Sequence, residues 1–218
     1  MKKQFLLILT IHVITSGLSI ALLALRIIRV EAGYFLFLAW NLFLAWMPFL
    51  FATAAYAVRR NGRAALGFGL LWLLFLPNAP YILTDLIHLR WVEGAPIWYD
   101  LSMFLCFSLA GLLLGLTSLN LMQTLVMERF GRFVSWLFVI VSMSLAGYGV
   151  YIGRFLRWNS WDIITSPFGL AGDILSMLRH PIQHIDGYFT SAVFAAIFLL
   201  GYITIISIGS MQKGIVSK

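Results

Sequence analysis

The sequence predicts an all-α, polytopic integral membrane protein with about six transmembrane helices, forming a single transmembrane domain over residues 1–218. Hydrophobic residues make up 61% of the chain and charged residues only 11%, whereas about a quarter of the residues in soluble domains are charged. Apolar runs of about 20 residues recur, and that length crosses a hydrocarbon core about 30 Å thick. Almost nothing is left over for a soluble domain.

The first apolar run starts directly after Lys2 and Lys3. It is longer than the apolar part of a signal peptide and has no clear small-residue cleavage site, so we expect an anchor that is retained. Cys106 is the only cysteine, which excludes an intramolecular disulfide and a thiolate metal cluster. The predicted spans are 5–25, 34–58, 64–83, 98–120, 133–153 and 189–210.

The net charge of +7 comes from cations that flank the predicted spans. We therefore assign them to orientation and to contact with membrane lipids, and we exclude nucleic acid as a partner. Nine of the fifteen Lys and Arg residues lie on the side of the two termini. This excess predicts that both termini are cytoplasmic. Seven of the eight acidic residues lie on the outer side, so we expect any chemistry to be extracytoplasmic.

The third span ends in an unusually polar stretch, "FLPNAPYILTDLIHL", residues 75–89. A span that stopped at Leu76 would rise only about 20 Å, so the helix is expected to continue past Pro77 and Pro80. The two prolines leave the carbonyls of Leu73 and Leu76 without helical donors. Such carbonyls are tolerated at membrane depth only against protein or a watery cavity. The third helix is therefore predicted to be broken, with its break facing the bundle interior.

If the helix resumes at Pro80, spacings of three and four place four polar side chains on one α-helical face. Asp85 and His88 then form a possible acid and base within one turn, and they are our candidate catalytic residues. The same stretch also fits a kinked helix end whose Asp85 and His88 meet interfacial water. The four side chains are those of Tyr81, Thr84, Asp85 and His88.

Residues from other spans complete a predicted outward-facing polar cavity. Asn41 lies in the second span and Asp100 opens the fourth. Asn41 also fits a hydrogen bond between helices, and Asp100 also fits a favourable charge at a helix N-terminus. The predicted lining residues are Asn41, Asn78, Tyr81, Thr84, Asp100, Tyr148 and Tyr151.

The outer loop over residues 154–189 is the only long connection and is expected to be structured. Its start, "RFLRWNSWD", fits either an aromatic belt with snorkelling arginines or a site for a sugar or phosphate headgroup. Indole faces take apolar sugar surfaces, and guanidinium groups take anions. The candidate headgroup-binding residues are Arg154, Arg157, Trp158, Asn159, Trp161 and Asp162.

Ser166 followed by Pro167 fits an N-cap and a first-turn proline. The pattern predicts a short helix over about 167–179 that lies along the outer membrane interface. Its polar side would carry Asp173 and Ser176, opposite an apolar stripe of Leu170, Ile174, Leu175 and Leu178.

Histidines provide one possible metal site. His180 and His184 are four residues apart and could share a zinc ion with His88 and a carboxylate, provided that a helix continued between them. Pro181 interrupts such a helix. We therefore predict no metal and no cofactor.

Three stretches carry a resemblance to a known family. "LFLPNAPYILTDLIHL" (74–89), "WYDLS" (98–102) and "GRFLRWNSWD" (153–162), in this order, resemble a bacterial multi-pass membrane family catalogued as domain of unknown function 1361. The resemblance runs from the second span through the long outer loop. The resemblance implies a multi-pass protein of the cytoplasmic (inner) membrane of a bacterium. The family has no established substrate, so the resemblance carries over no catalytic role.

Three functional classes remain open. The sequence contains no HExxH, GxSxG, Walker or dinucleotide-binding motif, which fits a non-catalytic assembly or sensor subunit. Asp85 and His88 fit an enzyme acting on lipid headgroups at the outer leaflet. The broken third span fits a transporter of small molecules or ions, although residues 1–110 and 111–218 show no internal repeat.

Overall fold

The computed structural model of the chain describes residues 2–30, 33–90, 94 and 96–216. The structure is 89% helical, and the described residues contain no strand. Within the described residues, five helical segments are long and apolar enough to cross a membrane: 3–29, 33–57, 62–88, 97–155 and 185–211. The prediction of an all-α polytopic membrane protein is therefore confirmed.

Helices follow one another through the described residues with short connections. Two of them are 3₁₀-helices, Gly33–Phe35 and Ile82–His88. The α-helices, in chain order, are α1 Lys2–Val30, α2 Leu36–Ala57, α3 Gly62–Phe75, α4 Asn78–Tyr81, α5 Ile97–Phe155, α6 Asp162–Thr165, α7 Pro167–Arg179 and α8 Ile185–Val216.

The first helix is longer than the predicted span of residues 5–25. Helix α1 continues to Val30, so Arg26 and Arg29 lie inside it instead of flanking it. Arg26 is buried, with 2% of its surface exposed, whereas Arg29 is exposed. Assigning Arg26 to orientation and lipid contact was therefore wrong, because its side chain is turned into the protein.

Helix α5 contains two predicted spans, 98–120 and 133–153, without a coil between them. A straight helix of 59 residues would be about 88 Å long, roughly three times the thickness of a hydrocarbon core. Gly131 interrupts it with φ 84° and ψ 175°, which are not helical values. This break separates the two spans, so five long helices accommodate the six predicted crossings.

The chain divides into two compact units, Met1–Met122 and Gln123–Lys218. In the first unit, α1, α2, both 3₁₀-helices and the first part of α5 bury a common apolar core. The largest fully buried side chain of this unit is Trp72, whose indole N–H donates to Ser118 Oγ at 3.0 Å. The core residues are Leu23, Phe35, Leu38, Leu42, Ala45, Phe49, Ile82, Met103, Phe104, Phe107, Ala110 and Leu114.

The second unit joins the last part of α5 to α8. The hydroxyl of Tyr202 donates to Gln123 Oε1, and both residues are buried. The Tyr202 ring also meets Trp136 with 6.4 Å between ring centroids. The single transmembrane domain over the whole chain stays a prediction.

The break in α5 gives a testable prediction. The backbone values of Gly131 fall in a region that is essentially restricted to glycine, where a side chain costs about 1–3 kcal/mol. Gly131→Ala should therefore lower the midpoint of thermal unfolding in detergent. Gly67→Ala is the matched control, because Gly67 lies inside helix α3 and an added Cβ would meet nothing within 4 Å. The control should be neutral or stabilising by up to about 1 kcal/mol. Equal midpoints for the two variants would contradict the role given to Gly131.

Candidate functional site

The third span is broken at its prolines, and protein donors satisfy part of the break. The backbone N–H of Ala79 donates to the Leu76 carbonyl at 3.2 Å, in place of its helical acceptor Phe75. The side chain of Asn78 then donates to the Phe75 carbonyl at 2.9 Å. The Leu76 carbonyl thus lacks its α-helical donor, as predicted, but it is not bare, because the chain tightens after Pro77 and brings the N–H of Ala79 to it.

The polar stretch after Pro80 winds as a 3₁₀-helix, Ile82–His88, and not as an α-helix. Residues three apart eclipse one another in a 3₁₀-helix. Asp85 is therefore in line with Ile82 and His88, while Thr84 is in line with Tyr81 and donates to its carbonyl at 2.6 Å. The predicted single face of four polar side chains is wrong, since it assumed 3.6 residues per turn.

Asp85 is fully buried, with 0% of its surface exposed. Asn41 of α2 donates from Nδ2 to Asp85 Oδ2 at 2.7 Å. The structure thus brings together two predicted site residues that are 44 positions apart. Their hydrogen bond ties the end of the third span to the first half of the second, which is the interhelical role that the sequence left open for Asn41.

The broken segment lies directly against α5. The hydroxyl of Ser108 donates to the carbonyl of Ile82 at 3.4 Å. Gly111, one turn further, allows this approach, because an added Cβ would be 2.8 Å from the Ala79 carbonyl oxygen and 2.9 Å from Ile82 Cδ1. Helix α5 therefore both packs against the break and supplies a donor to it.

Asp100 lies in the first turn of α5 and forms a buried ion pair with Arg26 of α1. Arg26 donates from Nε to Asp100 Oδ1 at 2.5 Å and from Nη2 to Oδ2 at 3.1 Å. Among the described residues, Arg26 Nη1 has no hydrogen-bond partner. The guanidinium instead lies 5.5 Å from the ring centroid of Phe35. Asp100 is therefore fixed in place by a residue that was not among the predicted site residues.

A pocket of about 290 Å³ opens beside these contacts, between the start of α2 and the end of the third span. His88 is exposed there, and its ring meets Phe37 edge-on with 5.1 Å between centroids. The guanidinium carbon of Arg90 lies 5.1 Å from the ring centroid of Tyr34. The described lining contains no carboxylate and consists of Tyr34, Phe35, Phe37, Ile87, His88 and Arg90.

Two predicted cavity residues, Tyr148 and Tyr151, belong to the second unit, where they hold the outer loop. The Tyr148 hydroxyl is 3.3 Å from the Met177 sulfur, on the buried side of α7. Tyr151 stacks on Phe155 at 5.3 Å and lies against Gly187. A cavity shared by these tyrosines and the first unit stays a prediction.

The predicted headgroup-binding residues form the turn that ends α5. Arg157 has φ 62°, in the left-handed region, and the next N–H returns to the Ile152 carbonyl at 3.3 Å, closing the helix end. The Trp158 indole donates to Asp173 Oδ2 at 2.7 Å, so that indole N–H is already used inside the loop. Arg157 is exposed, as is Trp161 with 37% of its surface.

Asp162 organises the same turn. Its Oδ2 accepts the backbone N–H of Asn159 at 2.6 Å and its Oδ1 accepts the Thr165 hydroxyl at 2.8 Å. These hydrogen bonds, the backbone one first, hold the pKa of the Asp162 carboxyl below its usual value. Asp162 is thus ionised, and both of its carboxylate oxygens accept hydrogen bonds within the turn. The predicted headgroup role of Arg154 and its neighbours stays a prediction.

The loop helix Pro167–Arg179 has the predicted bounds, 167–179. The helix ends before His180, and α8 begins at Ile185, so His180 and His184 do not lie on one continuous helix. His184 Nε2 lies 3.4 Å from the Ser176 hydroxyl. The helical spacing on which a zinc site would depend is therefore missing, for the reason that Pro181 suggested.

Reasoning from the sequence missed Arg26 and every pocket-lining residue except His88, among them Tyr34 and Arg90. The sequence could have pointed to Arg26, because a cation at the end of an apolar span must either reach the membrane–water interface or pair with a buried anion. It gives no such signal for Tyr34 and Arg90, because they meet only when the second and third spans pack together.

The family described as protein of unknown function (DUF1361) matches residues 40–207. The chain belongs to this family. Asn41, Asp85, His88, Arg90 and Asp100 lie within the matched region, so both buried carboxylates and most of the pocket's polar lining are part of it. No curated protein and no solved structure matches the chain.

The buried ion pair gives a testable prediction. Asp100→Asn leaves the Arg26 charge buried without its counter-ion, which should destabilise the protein by about 3–5 kcal/mol. Asp186→Asn is the matched control, because Asp186 also lies in the first turn of its helix but is exposed. The control should cost at most about 1 kcal/mol. Thermal unfolding in detergent and abundance in the membrane measure both variants, and equal behaviour would contradict the structural importance of the pair.

Proposed function

We propose that this membrane protein is a non-catalytic binding subunit of the sensor type, whose pocket takes the anionic headgroup of a membrane amphiphile. The observation that carries the proposal is the pocket lined by Arg90, His88 and aromatic rings. A guanidinium presents a planar set of donors suited to phosphate or carboxylate oxygens. No carboxylate of the described lining competes with such an anion.

The size and surroundings of the pocket favour an amphiphile. Its volume of about 290 Å³ is at the lower end for small-molecule sites, so it fits a headgroup but not acyl chains. Ile87 lines the pocket and has 70% of its surface exposed, and Tyr34 has 66% exposed. An acyl chain leaving the pocket would therefore meet apolar surface directly.

The burial of Asp85 supports binding over catalysis. An acid and base pair acts only if both groups can reach the reacting atoms. His88 is exposed at the pocket, whereas Asp85 is fully buried and accepts a hydrogen bond from Asn41. We therefore give Asp85 a positioning role, in which it fixes the 3₁₀-helix that presents His88.

A headgroup-active enzyme is the alternative, because His88 does reach the pocket and follows Asp85 by one 3₁₀ turn. Transport is supported less well. A transporter would use the carbonyls of its broken helix as ligands, and those of Phe75 and Leu76 already accept protein donors.

Binding to the pocket can be tested with lipids of known headgroup. We expect detergent-solubilised protein to bind short-chain phosphatidylglycerol more tightly than phosphatidylcholine of equal chain length, as measured by native mass spectrometry. Arg90→Gln should weaken the phosphatidylglycerol complex about tenfold or more, because a hydrogen bond to a charged group contributes about 1.5–3 kcal/mol. Competition by inorganic phosphate would identify the free anion, and not the lipid, as a sufficient ligand.

Arg59→Gln is the matched control, since the Arg59 guanidinium also lies over a tyrosine, Tyr56, at 4.3 Å but lines no part of this pocket. Equal weakening by both arginine variants would contradict a specific site.

Asp85→Asn separates the binding subunit from the enzyme. It should preserve binding and the function of the gene in complementation if the pocket only binds. Preserved binding with lost complementation would favour the enzyme.

We also propose that both termini face the cytoplasm in a bacterial inner membrane. Arg26 is neutralised inside the protein by Asp100. Without it, the outer side has five cations instead of six, against nine on the side of the termini. This strengthens the charge asymmetry that places the termini in the cytoplasm.

Thiol labelling tests this orientation in a Cys106→Ser background. Asn159→Cys should react with a membrane-impermeant maleimide in intact cells, and Arg60→Cys only after permeabilisation. Both positions are exposed, so reactivity reports the side of the membrane. The opposite labelling pattern would reverse the assignment.

A further inference from the structure

The loop helix α7 is turned the opposite way from a helix on a water-exposed surface. Its polar residues Asp173 and Ser176 are half-buried and bonded to Trp158 and His184. The outward residues are apolar, and they are exposed at 91% for Phe168, 46% for Leu175 and 64% for Leu178. Of the predicted apolar stripe, Leu175 and Leu178 are exposed, whereas Leu170 and Ile174 are partly buried.

The exposed apolar surface extends beyond α7 in both directions along the chain. Ile164 of α6 is 81% exposed, and Ile182 in the turn after α7 is 87% exposed. Exposed apolar patches larger than a few hundred Å² mark interaction sites on proteins. The exposed large apolar residues of this segment are Ile163, Ile164, Phe168, Leu175, Leu178, Ile182 and Ile185.

The position of the segment in the chain identifies what covers it. It is tied at both ends to membrane-spanning helices, since α5 ends at Phe155 and α8 begins at Ile185. Ile185 is also the first member of a row on α8 whose exposed side chains recur every three or four residues, as expected of the face that meets lipid. That row is Ile185, Phe189, Val193, Ile197 and Leu200.

Cations accompany the apolar surface. Arg179 is exposed in the last turn of α7, next to the exposed Leu178. Arg157 is exposed at the start of the loop. An apolar face bordered by cations is complementary to the interface of a membrane that contains anionic lipids.

We propose that residues 163–185 form a platform embedded in the membrane interface, with Phe168, Leu175 and Leu178 at the boundary of the acyl chains and Arg179 among anionic headgroups. Helices of this kind lie in the plane of the interface, about 5–10 Å deep. The platform is independent of the pocket proposed above, and it requires only that the apolar face of α7 meets lipid.

Site-specific fluorescence in vesicles tests the platform. In a Cys106→Ser background, Phe168→Cys, Leu178→Cys and the control Asn159→Cys are labelled with an NBD fluorophore. The full-length proteins are reconstituted into phosphatidylcholine vesicles containing phosphatidylglycerol and a lipid with a nitroxide near the headgroup. All three positions are exposed, so the label is tolerated.

We expect blue-shifted emission and nitroxide quenching at positions 168 and 178, with water-like and weakly quenched emission at 159. Water-like emission at 168 and 178 would overturn the proposal. Unquenched but blue-shifted emission, together with a disulfide between two copies of the Phe168→Cys protein, would also overturn it in favour of a protein contact. Replacing phosphatidylglycerol with phosphatidylcholine should reduce quenching at 178, next to Arg179, more than at 168.

Discussion

The ion pair between Arg26 and Asp100 is the constraint on which the first unit depends. A guanidinium buried without a counter-ion costs several kcal/mol, so α1 and α5 can pack only in the register that joins these two residues. Next to the pair, the Tyr99 hydroxyl donates to the Leu22 carbonyl at 2.8 Å and repeats the same register. Phe35 lies over the guanidinium, which fixes the start of α2 and with it the wall of the pocket.

The break in the third span sets the remaining geometry. The two prolines remove the α-helical donors of two carbonyls, and the chain tightens at Pro77. It then passes through the single α-helical turn Asn78–Tyr81 and winds as a 3₁₀-helix from Ile82 to His88. With three residues per turn, Asp85 follows Ile82 into the core while His88, at the end of the row, emerges at the pocket. Asn41 holds Asp85 in this position. Asp85 and His88 therefore serve different purposes: Asp85 anchors the segment inside the protein, and His88 is a surface group at the pocket.

Composition and apolar run length were enough to predict the fold class, and Ser166 followed by Pro167 was enough to predict where the loop helix begins. Reasoning from the sequence failed at two points: the number of residues per helical turn after Pro80, and the ion-pair partner of Arg26. Four polar residues were placed on one face because an α-helical period was assumed beyond Pro80, whereas the backbone winds as 3₁₀. Arg26 was treated as a flanking cation because its partner is 74 positions away. Nothing in a single sequence joins those two residues, since only the packing of α1 against α5 does so.

Both units bury some polar side chains within apolar cores, and both expose many apolar side chains on their surfaces. Asp85, Asp100 and Arg26 are buried, while Phe168 and Leu178 remain exposed even beyond the ends of the spans. In lipid this arrangement is favourable, because apolar side chains lose nothing there and polar ones must find partners within the protein. His88 and Arg90 are exposed together at one pocket with aromatic walls. Exposed polar side chains require a polar environment, which the headgroup layer would supply to the ligand site that we propose there. The exposed apolar face of α7 requires an apolar environment, which is why we propose that it contacts lipid.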